Sequence, residues 1–96
     1  MSPATLEKPR VDGPGSGLGG NWRVIVLNDN HNTFEGVASA LARILPGVTY
    51  EQGWSMAQAI DKSGQAIVWT GAKETAELYW EQLRDTGLTM APLERA

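Results

Sequence analysis

Five consecutive polar residues, Asn28, Asp29, Asn30, His31 and Asn32, separate an apolar run, Val24–Leu27, from an apolar-periodic segment. Carboxylate and amide oxygens concentrated in this way suit a hydrogen-bond donor or a cation. The apolar neighbours would wall a site for something small. His31 beside Asp29 has the makings of an acid–base pair, but no nucleophile accompanies it, so the corner reads as binding rather than catalysis. The plain alternative is that Asn28 merely closes an Asx-turn. A second carboxylate, Asp61, stands at the end of a helical pattern, where it opposes the helix dipole by roughly 0.3–1 kcal/mol. A solvated helix end would explain it, yet the cost favours a functional role.

The elements that must position these residues follow from periodicity. Val24–Leu27 is a short β-branched run and reads as a strand buried on both faces. Asn32 is the expected N-cap of a first helix, Thr33 to Leu45, with Glu35 in capping-box position. Phe34, Val37, Ala38, Leu41, Ile44 and Leu45 form its apolar face, and Pro46-Gly47 stops it. Thr49 with Gln52 announces a second helix to about Ile60, with Tyr50, Trp54, Ala57 and Ile60 or Asp61 sharing a face. Gly53 weakens it by ~1 kcal/mol relative to Ala. A second strand, Gln65 to Trp69, leads to a third helix, Ala72 to Arg84, burying Ala72, Ala76, Tyr79 and Leu83. Gly87 suits a left-handed C-cap. Leu88 to Ala91 is the expected last strand, ended by Pro92. The order β-α-α-β-α-β implies an α+β sandwich, a three-stranded antiparallel sheet packed against helices.

Composition narrows the function classes. Ninety-six residues with 42% hydrophobic content make one small domain with a real core. A net charge of −3 argues against nucleic-acid binding. With no cysteine and one histidine, neither thiolate chemistry nor a zinc site is expected, and no cofactor is implied. No apolar run approaches a membrane span, and no export or transit signal is visible, so a cytoplasmic protein is expected. Residues 1–20 hold three of the five prolines and a Gly-Pro-Gly-Ser-Gly-Leu-Gly-Gly run. Such a segment reads as a disordered extension, with the core domain over 21–96. A passive tail is as reasonable as a functional arm. Trp54, Trp69 and Trp80 read as packing or interface residues.

Four collinear motifs carry a resemblance. Val-Ile-Val-Leu-Asn-Asp-Asn at 24–30, Asn32-Thr-Phe-Glu, Gly64-Gln-Ala-Ile, and the ending Gly87-Leu-Thr-Met-Ala-Pro-Leu-Glu94 resemble the ClpS adaptor family, most nearly its cyanobacterial branch. The resemblance spans about residues 22–94. It implies a Clp protease adaptor that binds the N-terminal residue (the N-degron) of substrates with large apolar first residues. Delivery would be to the N-terminal domain of a Clp AAA+ unfoldase of ClpC or ClpA type, by a chain that works as a monomer and catalyses nothing. It places substrate N-terminus binding on Asn28, Asp29, Asn30, Asn32 and Asp61. The apolar pocket falls on Val26, Phe34, Val37, Ala57, Ile60 and Thr89, and unfoldase docking on Glu74 and Glu77, which unaided would read as a solvated face.

Departures from the family pattern bear on specificity. The family's second acidic residue is Asn30, its ligand-binding His is Asp61, a pocket Met is Ala57, and the gatekeeper Met is Phe34. One carboxylate is lost at the corner and one gained at the end of the second helix. The pocket is widened on one wall and narrowed on the other, which should shift preference towards Leu over Trp. Two other readings stand beside the adaptor. One is a ClpS-fold modulator that docks without reading N-termini; the other is a generic protein-interaction domain.

Overall fold

Where the chain is most β-branched it is also most deeply buried: Val24, Ile25 and Val26 are 0%, 4% and 1% exposed. They lie at the centre of strand β1 (Trp22–Leu27) in a computed structural model that describes residues 20–96. The expected extension over residues 1–20 falls, but for Gly20, outside the described residues. The elements that follow are α1 (Phe34–Ile44), α2 (Tyr50–Ser63), β2 (Gln65–Gly71), α3 (Lys73–Asp85) and β3 (Glu94–Arg95). The sheet is antiparallel in the order β2-β1-β3, so β1 has a pairing partner along each edge. The helices cover one face. Val24 and Val26 meet Val37 and Leu41 of α1, Ala57 and Ile60 of α2, and Ala76 and Leu83 of α3 in a single core. Each Val, Leu or Ile side chain among them contributes about 1.5–3 kcal/mol on burial.

Local signals set most boundaries. The capping box at α2 forms as expected: the Thr49 hydroxyl accepts from the Gln52 N–H, and the Gln52 side chain accepts from the Thr49 N–H. The helix runs one turn beyond Ile60 and ends at Gly64, whose φ of 89° only glycine adopts cheaply. Gly53 has a packing reason. A Cβ there would lie 2.6 Å from the Ala38 carbonyl oxygen, so the missing methyl lets α1 and α2 meet backbone to backbone.

The structure corrects several expectations. The N-cap of α1 is Thr33, whose hydroxyl accepts from the Gly36 N–H, and not Asn32, whose side chain is drawn into tertiary contacts. Residues 88–91 are not a continuous strand. They touch β1 through the bonds Leu27 N–H to Thr89 O and Ala91 N–H to Ile25 O and one bridge, Val26 with Met90. Between that bridge and the pair Arg23 with Glu94, β1 advances three residues while the other segment uses four. Pro92, with no N–H to donate, lies in that bulge. The third strand therefore forms at Glu94–Arg95. Ala72, expected to be buried, is exposed because it is the N-cap of α3 and precedes its first turn.

Candidate functional site

The polar corner after β1 owes its shape to Asp29. One carboxylate oxygen accepts from the backbone N–H groups of His31 (2.9 Å) and Asn32 (2.8 Å). The other accepts from the Asn32 side-chain amide (2.8 Å) and the Thr89 hydroxyl (2.6 Å). The Thr89 hydroxyl foremost, then the Asn32 and His31 donors, hold this carboxyl well below the usual carboxylate range, with burial pulling the other way. All four acceptor positions are thus used within the chain. Asn32 also donates to the Gly87 carbonyl at 3.0 Å, so both hydrogens of its amide are spent and its oxygen has no partner among the described residues. The corner and the segment around Thr89 are one rigid unit, joined across sixty residues of sequence.

The end of α2 arrives at the same place through the backbone. The Asn28 N–H donates to the Gly64 carbonyl (2.9 Å), and the Gly64 N–H to Ile60 (2.8 Å). Asn28 and Asp61, both exposed, come to line one cavity of about 60 Å³. Its inner walls are Val26, Phe34, Val37, Ala57, Ile60 and Leu88, and its rim is Leu27, Asn28, Asp29, Asn32, Asp61 and Thr89. The Asn28 carboxamide makes no hydrogen bond among the described residues and is available to a ligand. The floor is apolar because β1, α1 and α2 each present a core residue to it. The rim is polar because each of those elements ends there.

Of the residues expected in the site, the structure brings together Asn28, Asp29, Asn32, Asp61, Val26, Phe34, Val37, Ala57, Ile60 and Thr89. Asn30 is exposed and stands outside the lining. Glu74 and Glu77 lie on the exposed side of α3, away from the cavity. Sequence reasoning missed Leu27 and Leu88; the burial of Leu88 depends on the turn that Gly87 (φ 104°) makes after α3. His31 meets Asp29 through its backbone N–H, and its ring is exposed. Among the described residues, no group of three His, Cys, Asp or Glu side chains could hold a metal ion. No helix among them is long and apolar enough to cross a membrane.

The described residues form a three-stranded antiparallel sheet under three helices, with a pocket at the β1–α1 corner. The same fold occurs in the solved structure of Agrobacterium tumefaciens ClpS2 bound to L-phenylalaninamide. That structure matches with a TM-score of 0.74 over 79% of this chain and 96% of that one, at 21% identity. The chain belongs to the ClpS family: the family model for the ATP-dependent Clp protease adaptor protein ClpS matches residues 19–94. It is 54% identical over 76 residues to the ClpS of a Nostoc species, covering 79% of this chain and 78% of that protein. It is 51% identical to the Synechocystis ClpS over the same shares. Its role is accordingly that of a Clp protease adaptor, a family of adaptors and not of catalysts.

Proposed function

We propose that the cavity receives the first residue of a polypeptide and that the chain hands this substrate to a Clp AAA+ unfoldase. The observation that carries the reading is the convergence of Asn28 and Asp61 on the rim of a pocket whose walls are apolar. An α-ammonium is costly to desolvate unless oxygen acceptors meet it. Asn28 supplies an amide oxygen and Asp61 a carboxylate, while the Asn32 oxygen is left to accept an N–H from the ligand backbone. Phe34, Val37, Ala57 and Ile60 then take the first side chain, with Val26 beneath and Thr89 at the rim.

The departures from the family pattern fit this scheme. Asn30 stands outside the lining and Asp61 within it, so the charge missing at 30 is replaced from the opposite side. Asp29 contributes its field, not a direct contact, since its oxygens are occupied. The ligand of the Agrobacterium structure, an amino-acid amide with a free amine and an aromatic side chain, has the chemistry such a pocket would hold. Docking on an unfoldase N-terminal domain of ClpC or ClpA type is assigned to the α3 face bearing Glu74 and Glu77.

The occupied Asp29 carboxylate also favours a second reading, a modulator that docks on the unfoldase without reading N-termini. A peptide array varying only the first residue separates the two. Selective retention of peptides starting with large apolar residues supports the first, and uniform background supports the second.

A further inference from the structure

Phe34 occupies the first position of α1, half-buried against the core, and its ring forms a wall of the cavity. Beside it stands Trp54 of α2. The two rings meet edge to face with centroids 5.3 Å apart and planes at 86°. Trp54 is backed in turn by Tyr50, at 6.4 Å and 73°. Three rings therefore run in series from the pocket wall to the exposed surface. Trp54 itself does not line the cavity. It sits three residues before Ala57, whose small side chain leaves the Phe34 ring as the bulkiest limit on that side of the pocket.

We propose that Trp54 is a positioning residue that holds the Phe34 ring in place and thereby sets the upper size of the first side chain the site accepts. This rests on the reading of the cavity as a site for a chain's first residue. A ring free to swing would let the pocket widen for an indole; a ring held by the Trp54 edge keeps it narrow. The residue thus acts on selection between ligands, not on the anchoring of the ammonium, which lies with Asn28 and Asp61.

The test uses the full chain and two peptides differing only in a first residue of Leu or Trp, titrated against wild type, Trp54→Leu, Trp54→Phe and Phe34→Ala. Loss of an aromatic pair is worth enough to change the ratio of the two dissociation constants about three- to tenfold. Trp54→Leu should relax the preference for Leu by that factor, and Trp54→Phe, which keeps an aromatic edge, should preserve it. Added to Phe34→Ala, Trp54→Leu should change the ratio no further. If Trp54→Leu does not fold, Trp54→Met carries the same comparison. An unchanged ratio in wild-type background, or an equal shift with and without Phe34, overturns the role of Trp54 alone. A wild-type chain that binds neither peptide overturns the reading of the site and this inference with it.

Discussion

Replacing Asp29 by Asn keeps the size of the side chain and removes its charge and one acceptor. In the structure four donors converge on this carboxylate, from His31, Asn32 twice and Thr89. A hydrogen bond to a charged group contributes roughly 1.5–3 kcal/mol, but His31 and Thr89 are exposed, so water substitutes for much of what they lose. An Asn oxygen can still accept from the two backbone N–H groups. Its NH₂ would face the Asn32 amide, a donor against a donor, and that contact is forfeited; the Thr89 hydroxyl can turn to accept from the NH₂, but as a neutral bond in place of a charge-assisted one. A loss of about 2 kcal/mol follows, which in a domain of this size lowers Tm by about 8–16 °C. The pH dependence has a definite sign. The folded carboxyl titrates below its unfolded value, so its contribution is complete above the unfolded pKa of about 3.9 and is lost as pH falls towards the folded one. Thermal unfolding followed by circular dichroism from pH 7 to pH 2 should show the gap between wild type and Asp29→Asn wide at pH 7 and closing below pH 4. Equal Tm at pH 7, or a gap independent of pH, would refute the view that Asp29 is the clamp of this corner.

Asp61→Asn should weaken binding of a Leu-initiated peptide ten- to a hundredfold, towards the lower figure because Asp61 is exposed, while raising Tm slightly, since the charge opposes the dipole of α2; equal affinity by titration would make Asp61 a bystander. Gly53→Ala should destabilise despite a gain of ~1 kcal/mol in helix propensity, because its methyl meets the Ala38 backbone; a Tm drop corresponding to about 1–2 kcal/mol is expected, and a rise would show that α1 and α2 can part freely. Reversing both charges with Glu74→Lys and Glu77→Lys should abolish pull-down by a purified unfoldase N-domain without altering peptide affinity, and undiminished association would remove that α3 face from the interface.

Much of this was readable in the residues because it is local. The Thr49–Gln52 capping box, the β-branched centre of β1 and the apolar stripe of α1 depend on neighbours within a few positions, and each stands in the structure. What was misread depends on contacts distant in sequence. Asn32 and Thr33 are both good N-caps on paper; the choice is made by Asp29 and by Gly87, fifty-five residues away. Gly53 counted only as a weak point until α1 was placed against it. The last strand was expected at 88–91, ended by Pro92, but the pairing bulges at Pro92 and the regular part lies at Glu94–Arg95. For the site, periodicity indicated which faces are apolar. That Asn28 and Asp61 share one rim came only from the family resemblance, not from periodicity; the Asn28–Gly64 bond that joins the end of β1 to the end of α2 brings them there, and Asn30, expected with them, is left outside.

The most direct test of the central claim is a calorimetric titration of the full chain with one Leu-initiated peptide in two forms, free and N-acetylated. Acetylation leaves the side chain and every later residue intact and removes only the ammonium charge and two of its hydrogens. If Asn28 and Asp61 hold an α-ammonium, the free peptide binds and the acetylated one binds at least a hundredfold more weakly, a difference of about 2.7 kcal/mol. Equal binding of the two forms, or binding of neither, would contradict the account.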